Sequence, residues 1–449
     1  MPGTAPATNP LFSHPGPRST PPAAPRETLT AAELELLRRL QHQALSYFLD
    51  NQVPNGLILD RQHNHGPRLA HGLCSTAATG MGFIALALAA APPYQLLSPR
   101  TAVLRVTAGV RSALEGLPHD HGVVPHFIDS ATGEVVGVDY FSTIETAWLV
   151  AGALWAAAFL GDPHLEALAE HLYRRVDWHY WTAPDQPDAR GLLRHGKRRD
   201  GSFLLCSWDR VNGETAFMYV LAAGAAEGKE IPAEAWRTLR PFYGTVAGHR
   251  FNNADLGLFV FQYGLDLLDL EAWRAPDDPD LPSEAKVAAQ ANQAACREAA
   301  DRFATYRRFW GLSAGDGPGR PGGPDVYRCY SPAGPIDGTA HLTAALASVA
   351  HCPAAVLQNL YEALHDRQLP ARGRYGLSSV NVDCGWVARD MVGIDAGAAV
   401  LALDNYLMYG RVRAVFQGLP CVCRGLERLG FTRDPAVTAD APTTVRQAS

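Results

Sequence analysis

The chain has 449 residues, with 39 Lys+Arg against 45 Asp+Glu, a formal net charge of −6, and 47% hydrophobic and 19% charged residues. That length holds about three average domains or one large one, and the composition is that of an ordinary globular protein. It lacks the basic surplus that neutralising nucleic-acid phosphates demands, because its densest basic run, Arg194-His195-Gly196-Lys197-Arg198-Arg199, is short.

Met1 to Pro25 is rich in Pro, Ala, Ser and Thr without the charged-then-apolar order of a signal peptide. It predicts a disordered leader over residues 1–29 and a cytoplasmic chain, with a periplasmic or secreted location left open. Thr30-Ala31-Ala32-Glu33 has the pattern of a capping box, and Leu34, Leu37, Leu40, Leu45 and Phe48 follow near helical spacing, so the first helix starts there. Further helices are predicted over 75–90, 99–115, 142–160, 164–181, 213–227, 233–248, 284–310, 338–349, 353–366 and 394–416, with a shorter apolar segment near 256–270. Alternating strand patterns are scarce. The exception is Gly191 to Ser207, a β-hairpin turning at Arg198-Arg199-Asp200-Gly201-Ser202. No linker interrupts the middle, so one domain is expected over 30–430, with a disordered tail over 431–449.

The apolar stretches Met81 to Ala91 and Ala147 to Leu160 fall short of the ~20 residues that cross a bilayer. Unbroken apolarity over Thr76 to Ala91, Ala147 to Leu160 and Thr339 to Val349 instead marks helices buried on most sides. About a dozen helices of this kind, joined by aromatic and acidic loops, predict an all-α ring of inner and outer helices. The eight Cys form neither a disulfide framework nor a paired zinc spacing, and Cys421-Val422-Cys423 reads as structural. No metal or cofactor is expected.

No Walker sequence, G-x-S-x-G elbow or H-E-x-x-H pair occurs. What remains is acids and aromatics at helix starts, in four segments. Asp139-Tyr140-Phe141-Ser142-Thr143-Ile144-Glu145 carries a capping-box spacing in which Glu145 serves either as a cap or as a cleft carboxylate. Ser207-Trp208-Asp209-Arg210-Val211-Asn212-Gly213-Glu214 opens an apolar helix, where an acid is also favoured by the helix dipole. Tyr330 with Asp337-Gly338-Thr339, and Trp386 with Gly393-Ile394-Asp395-Ala396-Gly397, complete the set, and Asp337 and Asp395 also suit helix N-caps. The small residues around Asp395 predict open space in front of it. Two carboxylates across a cleft are what glycoside hydrolysis needs, one to protonate the leaving oxygen and the other to activate water or attack the anomeric carbon.

These segments, with Ser75-Thr76-Ala77-Ala78-Thr79-Gly80-Met81-Gly82, Phe259-Val260-Phe261-Gln262-Tyr263 and Trp310-Gly311-Leu312-Ser313-Ala314-Gly315-Asp316-Gly317, resemble the glycoamylase-like family that contains endo-β-1,2-glucanases and the cyclising domain of cyclic β-1,2-glucan synthases. The resemblance implies an (α/α)6 barrel, here with a small β-hairpin insertion, and a metal-independent hydrolase of a β-glucan, most simply endo-acting on β-1,2-glucan. It matches Glu214 to the general acid, Asp395 to the general base and Glu145 to an acidic position in the same cleft. Trp208, Tyr330 and Trp386 are the expected sugar-stacking platforms, and Asp139, Asp209, Arg210, Gln262 and Asp337 complete the expected substrate-binding set. A raised Glu214 pKa is expected from a semi-buried helix start beside Asp209, with Arg210 opposing it. The partner is then an oligo- or polysaccharide, with neither nucleic acid nor membrane. The alternatives on this scaffold are a transglycosylase, a hydrolase of another glucan, and a non-catalytic carbohydrate-binding protein.

Overall fold

The computed structural model describes residues 29–183, 190–277, 279–320, 322–366 and 368–433. The leader and tail expected over 1–29 and 431–449 therefore lie largely outside the described residues. Within them, Thr432–Arg433 pairs with Trp273–Arg274, so the folded part continues beyond 430.

Thirteen α-helices are described: α1 Ala31–Asp50, α2 Thr76–Ala89, α3 Pro99–Arg111, α4 Thr143–Leu160, α5 Pro163–Arg175, α6 Gly213–Ala223, α7 Ala235–Thr238, α8 Leu281–Glu298, α9 Leu342–Ala347, α10 Pro353–His365, α11 Gly393–Leu407, α12 Arg411–Gln417 and α13 Pro420–Arg428. Every residue of α2 is buried, as are nearly all of α4, α6 and α11. Helices α1, α3, α5, α8 and α10 bury one face only, as helices on an outer layer do. The inner layer is α2, α4, α6, the 3-10 turns Leu258–Phe261 and Gly264–Asp266, α9 and α11. The outer layer packs across the inner neighbours, and the whole is an (α/α)6 barrel. The main core draws residues from Leu36 to Phe431, and a smaller cluster gathers Phe251, Val260 and Phe261 against Ala285, Ala288 and Ala291 of α8.

Close helix approach explains two glycines of the Ser75 to Gly82 segment and its partner. A Cβ on Gly80 would lie 2.1 Å from the Trp148 carbonyl oxygen, and one on Gly152 would lie 1.9 Å from that of Gly80, so α2 and α4 touch backbone to backbone. Although α4 is apolar and 18 residues long, enough to pass for a membrane span, 78% of it is buried inside the barrel.

Several elements differ from expectation. Over 233–248 only α7 forms. Pro241 removes a backbone donor, and Tyr243–Val246 and His249–Asn252 make a hairpin whose turn, Ala247-Gly248, has positive φ at both residues. The 394–416 helix breaks at Tyr409 and Gly410, again at positive φ, into α11 and α12. The C-x-C segment belongs to α13, where Cys421 is buried and Cys423 Sγ donates to the Gln417 carbonyl; all eight cysteines are free thiols. The hairpin near 191–207 is present as bridges Lys197–Phe203 and Arg194–Ser207 around the expected turn, while Gly196–Lys197 also pairs with Phe141–Ser142 just before α4.

Strands are short, and several sit where inner helices begin. Leu73–Ser75 leads into α2, Phe141–Ser142 into α4 and Asp390–Val392 into α11. The last pairs with Arg61–His63, placing Arg61 opposite Val392, one residue before α11. Ala314–Gly317 pairs with Val326–Cys329, placing Asp316 opposite Tyr327. These pairings bring distant loops to the end of the barrel at which the inner helices start.

Candidate active site

Glu214 is the second residue of α6. The helix is capped by Asn212, whose Oδ1 accepts from the Thr215 N–H at 2.9 Å, so Glu214 is not its cap. The Glu214 carboxyl is pushed up to about 8, first by burial and then by the negative charge of Glu145. Asp209 and Arg210 are not among the causes, contrary to expectation. Arg210 Nη1 donates to both carboxylate oxygens of Asp255, at 2.9 and 2.8 Å, and the guanidinium lies over the Phe242 ring, so its charge is already matched. Asp209 is exposed and acts on His195 and Tyr219 instead.

Glu145, in the first turn of α4, does not form the capping box. Ser142 makes no side-chain cap; its hydroxyl donates to Glu145, whose other oxygen faces His126 Nε2 at 3.4 Å. His126 Nδ1 is bound to Asp139, and the imidazole stacks on Phe127 at 3.6 Å. Burial disfavours the imidazolium, but Glu145 and Asp139 outweigh it and raise His126 to about 9. The ligating atoms of His126, Asp139 and Glu145 lie within 4.8 Å of one another, the one set among the described residues that could converge on a metal ion. Because each ring nitrogen already faces a carboxylate, the imidazolium itself supplies the positive charge there.

Asp395 lies in the first turn of α11, whose N-cap is Val392, so it too is not a cap residue. Its carboxyl is pushed up to about 7 by burial first, then by Asp316 and Asp60, with Tyr263 and Arg61 pulling the other way. Tyr263 donates its hydroxyl to Asp395 Oδ1 at 3.4 Å. Arg61 is held by Asp316 at 3.1 Å, Asp60 at 3.4 Å and Asp390 at 3.7 Å, one cation among three carboxylates. The small residues around Asp395 serve packing rather than open space. A Cβ on Gly397 would meet Met81 Sδ at 2.3 Å, and one on Gly393 would meet Ala78 Cβ at 2.9 Å.

The predicted binding residues divide into two groups. Trp208 is half-buried, stacked on His195 at 3.9 Å and donating its indole N–H to Thr143 Oγ1, while half-buried Trp386 donates to Asp325 Oδ1 at 2.7 Å. Asp139 and Glu145 meet at His126. The others are occupied elsewhere. Gln262 is buried, its amide donating to the Ala344 carbonyl at 2.7 Å and Ser348 Oγ at 2.8 Å, so it braces α9. Tyr330 is buried in the core and donates to Asp337 Oδ2 at 2.9 Å, so it is not an open platform. Asp337 also accepts the Thr339 N–H, capping a turn rather than α9, which starts at Leu342.

Arg61, Asp60, His126, Asp316 and Tyr263 were not among the expected site residues. Tyr263 and Asp316 fall inside segments that carry the family resemblance. Asp60, Arg61 and His126 sit at or beside strands of two or three residues, too short to leave a periodic signal.

Residues 206–420 match the Glycoamylase family model, described as "Putative glucoamylase". A curated relative, the exo β-1,2-glucooligosaccharide sophorohydrolase (non-reducing end) of Parabacteroides distasonis, is 23% identical over 90% of this chain; the chain spans 58% of that relative's length. Among solved structures, an endo-β-1,2-glucanase from Chitinophaga pinensis, in complex with sophorotriose and glucose, superposes with a TM-score of 0.77 at 22% identity, covering 90% of this chain and 99% of its own. A β-1,2-glucanase from Parabacteroides distasonis gives 0.76 at 20% identity, covering 90% of this chain and 60% of its own. The family match thus takes in the Glu214, Tyr263, Asp337 and Asp395 segments, while Ser75 to Gly82 and the Glu145 segment lie outside it, and the solved structures share the barrel fold.

Proposed function

We propose that this chain is a glycoside hydrolase that cleaves a β-glucan, with endo-attack on β-1,2-linked glucan as its activity. Glu214 gives its proton to the leaving glycosidic oxygen as the bond to the anomeric carbon breaks. Asp395 takes a proton from the water that forms the new bond to that carbon. One observation carries the reading: Glu214, half-buried at the start of an inner helix and facing the Glu145 charge, keeps its proton up to about pH 8. A carboxyl that stays protonated at neutral pH is what a general acid requires. The substrate assignment is supported by the β-1,2-glucan and sophoro-oligosaccharide activities named for the relatives. Half-buried Trp208 and Trp386 offer aromatic surface for sugar faces.

The test is release of reducing ends from linear β-1,2-glucan by the purified chain and by Glu214→Gln. A loss of about 10³-fold in the variant is expected; equal rates in both would overturn the assignment. Product analysis on β-1,2-, β-1,3-, β-1,4- and β-1,6-glucans fixes linkage, and products longer than the substrate would assign transglycosylation instead.

A further inference from the structure

We propose that Tyr263 is a positioning residue for the reaction: its buried hydroxyl donates to Asp395, aims that carboxylate and favours its charged form, from a segment that belongs to neither catalytic helix. The inference rests on the hydrolase reading above. Tyr263 lies between the 3-10 turns Leu258–Phe261 and Gly264–Asp266, across the barrel layer from α11. Its ring is buried, edge-on to Trp148 of α4 at 6.0 Å and against Phe259 at 5.6 Å. The hydroxyl reaches Asp395 Oδ1 at 3.4 Å. Packing therefore fixes the donor in place before substrate arrives, so little orientation remains to be lost when the base must act.

The remaining charges facing Asp395 cannot fill this role. Asp316, on Ala314–Gly317, and Asp60 are carboxylates and oppose its ionisation. Arg61 favours it, but the guanidinium is shared among Asp60, Asp316 and Asp390. Tyr327, on the strand paired with the Asp316 strand, couples to the same carboxylate, yet Tyr263 is the group whose hydrogen bond to Asp395 is formed. Tyr263 also feels the charges of both Asp395 and Glu214, and with burial these keep its phenol protonated and hence a donor throughout the working pH range. A neutral donor at Asp395 stabilises the charged form of the base without adding a cation that would strip the proton from Glu214.

The test is the pH dependence of kcat/KM for β-1,2-glucan hydrolysis in wild type, Tyr263→Phe and Asp395→Asn. Losing a donor to the charged carboxylate raises its pKa, so Tyr263→Phe is expected to move the acid limb upward. It loses about tenfold at pH 6 and recovers toward wild type above pH 8, with the alkaline limb in place. A residue that only fills space would lower activity by the same factor at every pH, and that result overturns the proposal. Replacing Tyr263 with 3-fluorotyrosine keeps the ring's shape while strengthening the donor, and is expected to move the acid limb downward; an unmoved limb in a folded 3-fluorotyrosine protein also overturns it. If Asp395→Asn keeps wild-type activity, the hydrolase assignment of Asp395 fails. If Asp395→Asn is inactive while the Tyr263 profiles are parallel to wild type, the positioning role alone fails.

Discussion

The starts of α6 and α11 bury the same chemical group by different means. On the α4–α6 side, half-buried Glu214 faces one anion, Glu145, whose Oε1 lies 3.4 Å from His126 Nε2. On the α11 side, Asp395 is equally enclosed but receives a hydroxyl and the influence of Arg61, while Asp316 and Asp60 counter them. Burial is the largest cause on both sides, so it cannot distinguish their roles. The neighbours do: Glu145 only adds to the upward push on Glu214, whereas around Asp395 opposing influences partly cancel. The two rises are alike, from 4.5 to about 8 and from 3.8 to about 7, so the acid lies above the base mainly through the ordinary gap between a glutamate and an aspartate.

The largest effects are expected from removing either carboxyl. Glu214→Gln and Asp395→Asn should each lower kcat by about 10³-fold with folding intact by circular dichroism; loss in one and not the other would leave a single catalytic carboxyl and break the pairing. The contrast also sets the pH window. The base must be ionised and the acid protonated, so wild-type kcat/KM should rise through about pH 7 and fall through about pH 8. Glu145→Gln removes the like charge from Glu214. Its alkaline limb should move down by roughly one unit, with several-fold lower activity at pH 8 and an unmoved acid limb. An alkaline limb that stays put would show that burial alone holds the proton.

A smaller effect follows from linkage. A carboxyl whose pKa is higher in the folded than in the unfolded state contributes stability below its unfolded pKa, and that contribution is lost as pH rises through the folded value. For Glu214 the window runs from about 4.5 to about 8. Wild type should therefore melt about 2 °C or more below Glu214→Gln at pH 9, with the gap closing toward pH 5, by differential scanning calorimetry. A gap independent of pH would mean that the glutamine changes packing rather than removing a charge.

The barrel was legible because its determinants are repetitive: apolar helices of the right length, each opened by polar residues. α2, α4 and α10 fall within one or two residues of expectation. Where the reading failed, a single residue overrode a pattern. Pro241 and the Ala247-Gly248 turn made a hairpin from an apolar stretch, and Gly410 split a helix. Glu145, Glu214 and Asp395 could be read because each stands near the start of an apolar run. Arg61 and His126 could not, because what places them is pairing with segments far along the chain. Arg61 reaches α11 only because its strand pairs with residues 390–392.

Composition at a helix start also does not say which way a side chain turns, and Gln262 beside Tyr263 is the sharpest case. Adjacent residues of one motif face opposite ways: Tyr263 toward Asp395, Gln262 toward Ala344 and Ser348. Gln262→Met keeps the length of the side chain while removing its amide. The Ala344 carbonyl retains a weak donor in Ser348 Oγ at 3.4 Å, and the buried Gln262 Oε1, which has no partner, disappears at the same time. The stability cost should therefore sit near the low end for a buried hydrogen bond, about 1 kcal/mol, a fall in Tm of roughly 1–2 °C. KM for β-1,2-glucan should stay within about twofold, because a brace turned away from the Asp395 side touches no sugar. A KM raised about tenfold with Tm unchanged would return Gln262 to the binding set and reverse the inside–outside division drawn between these two neighbours.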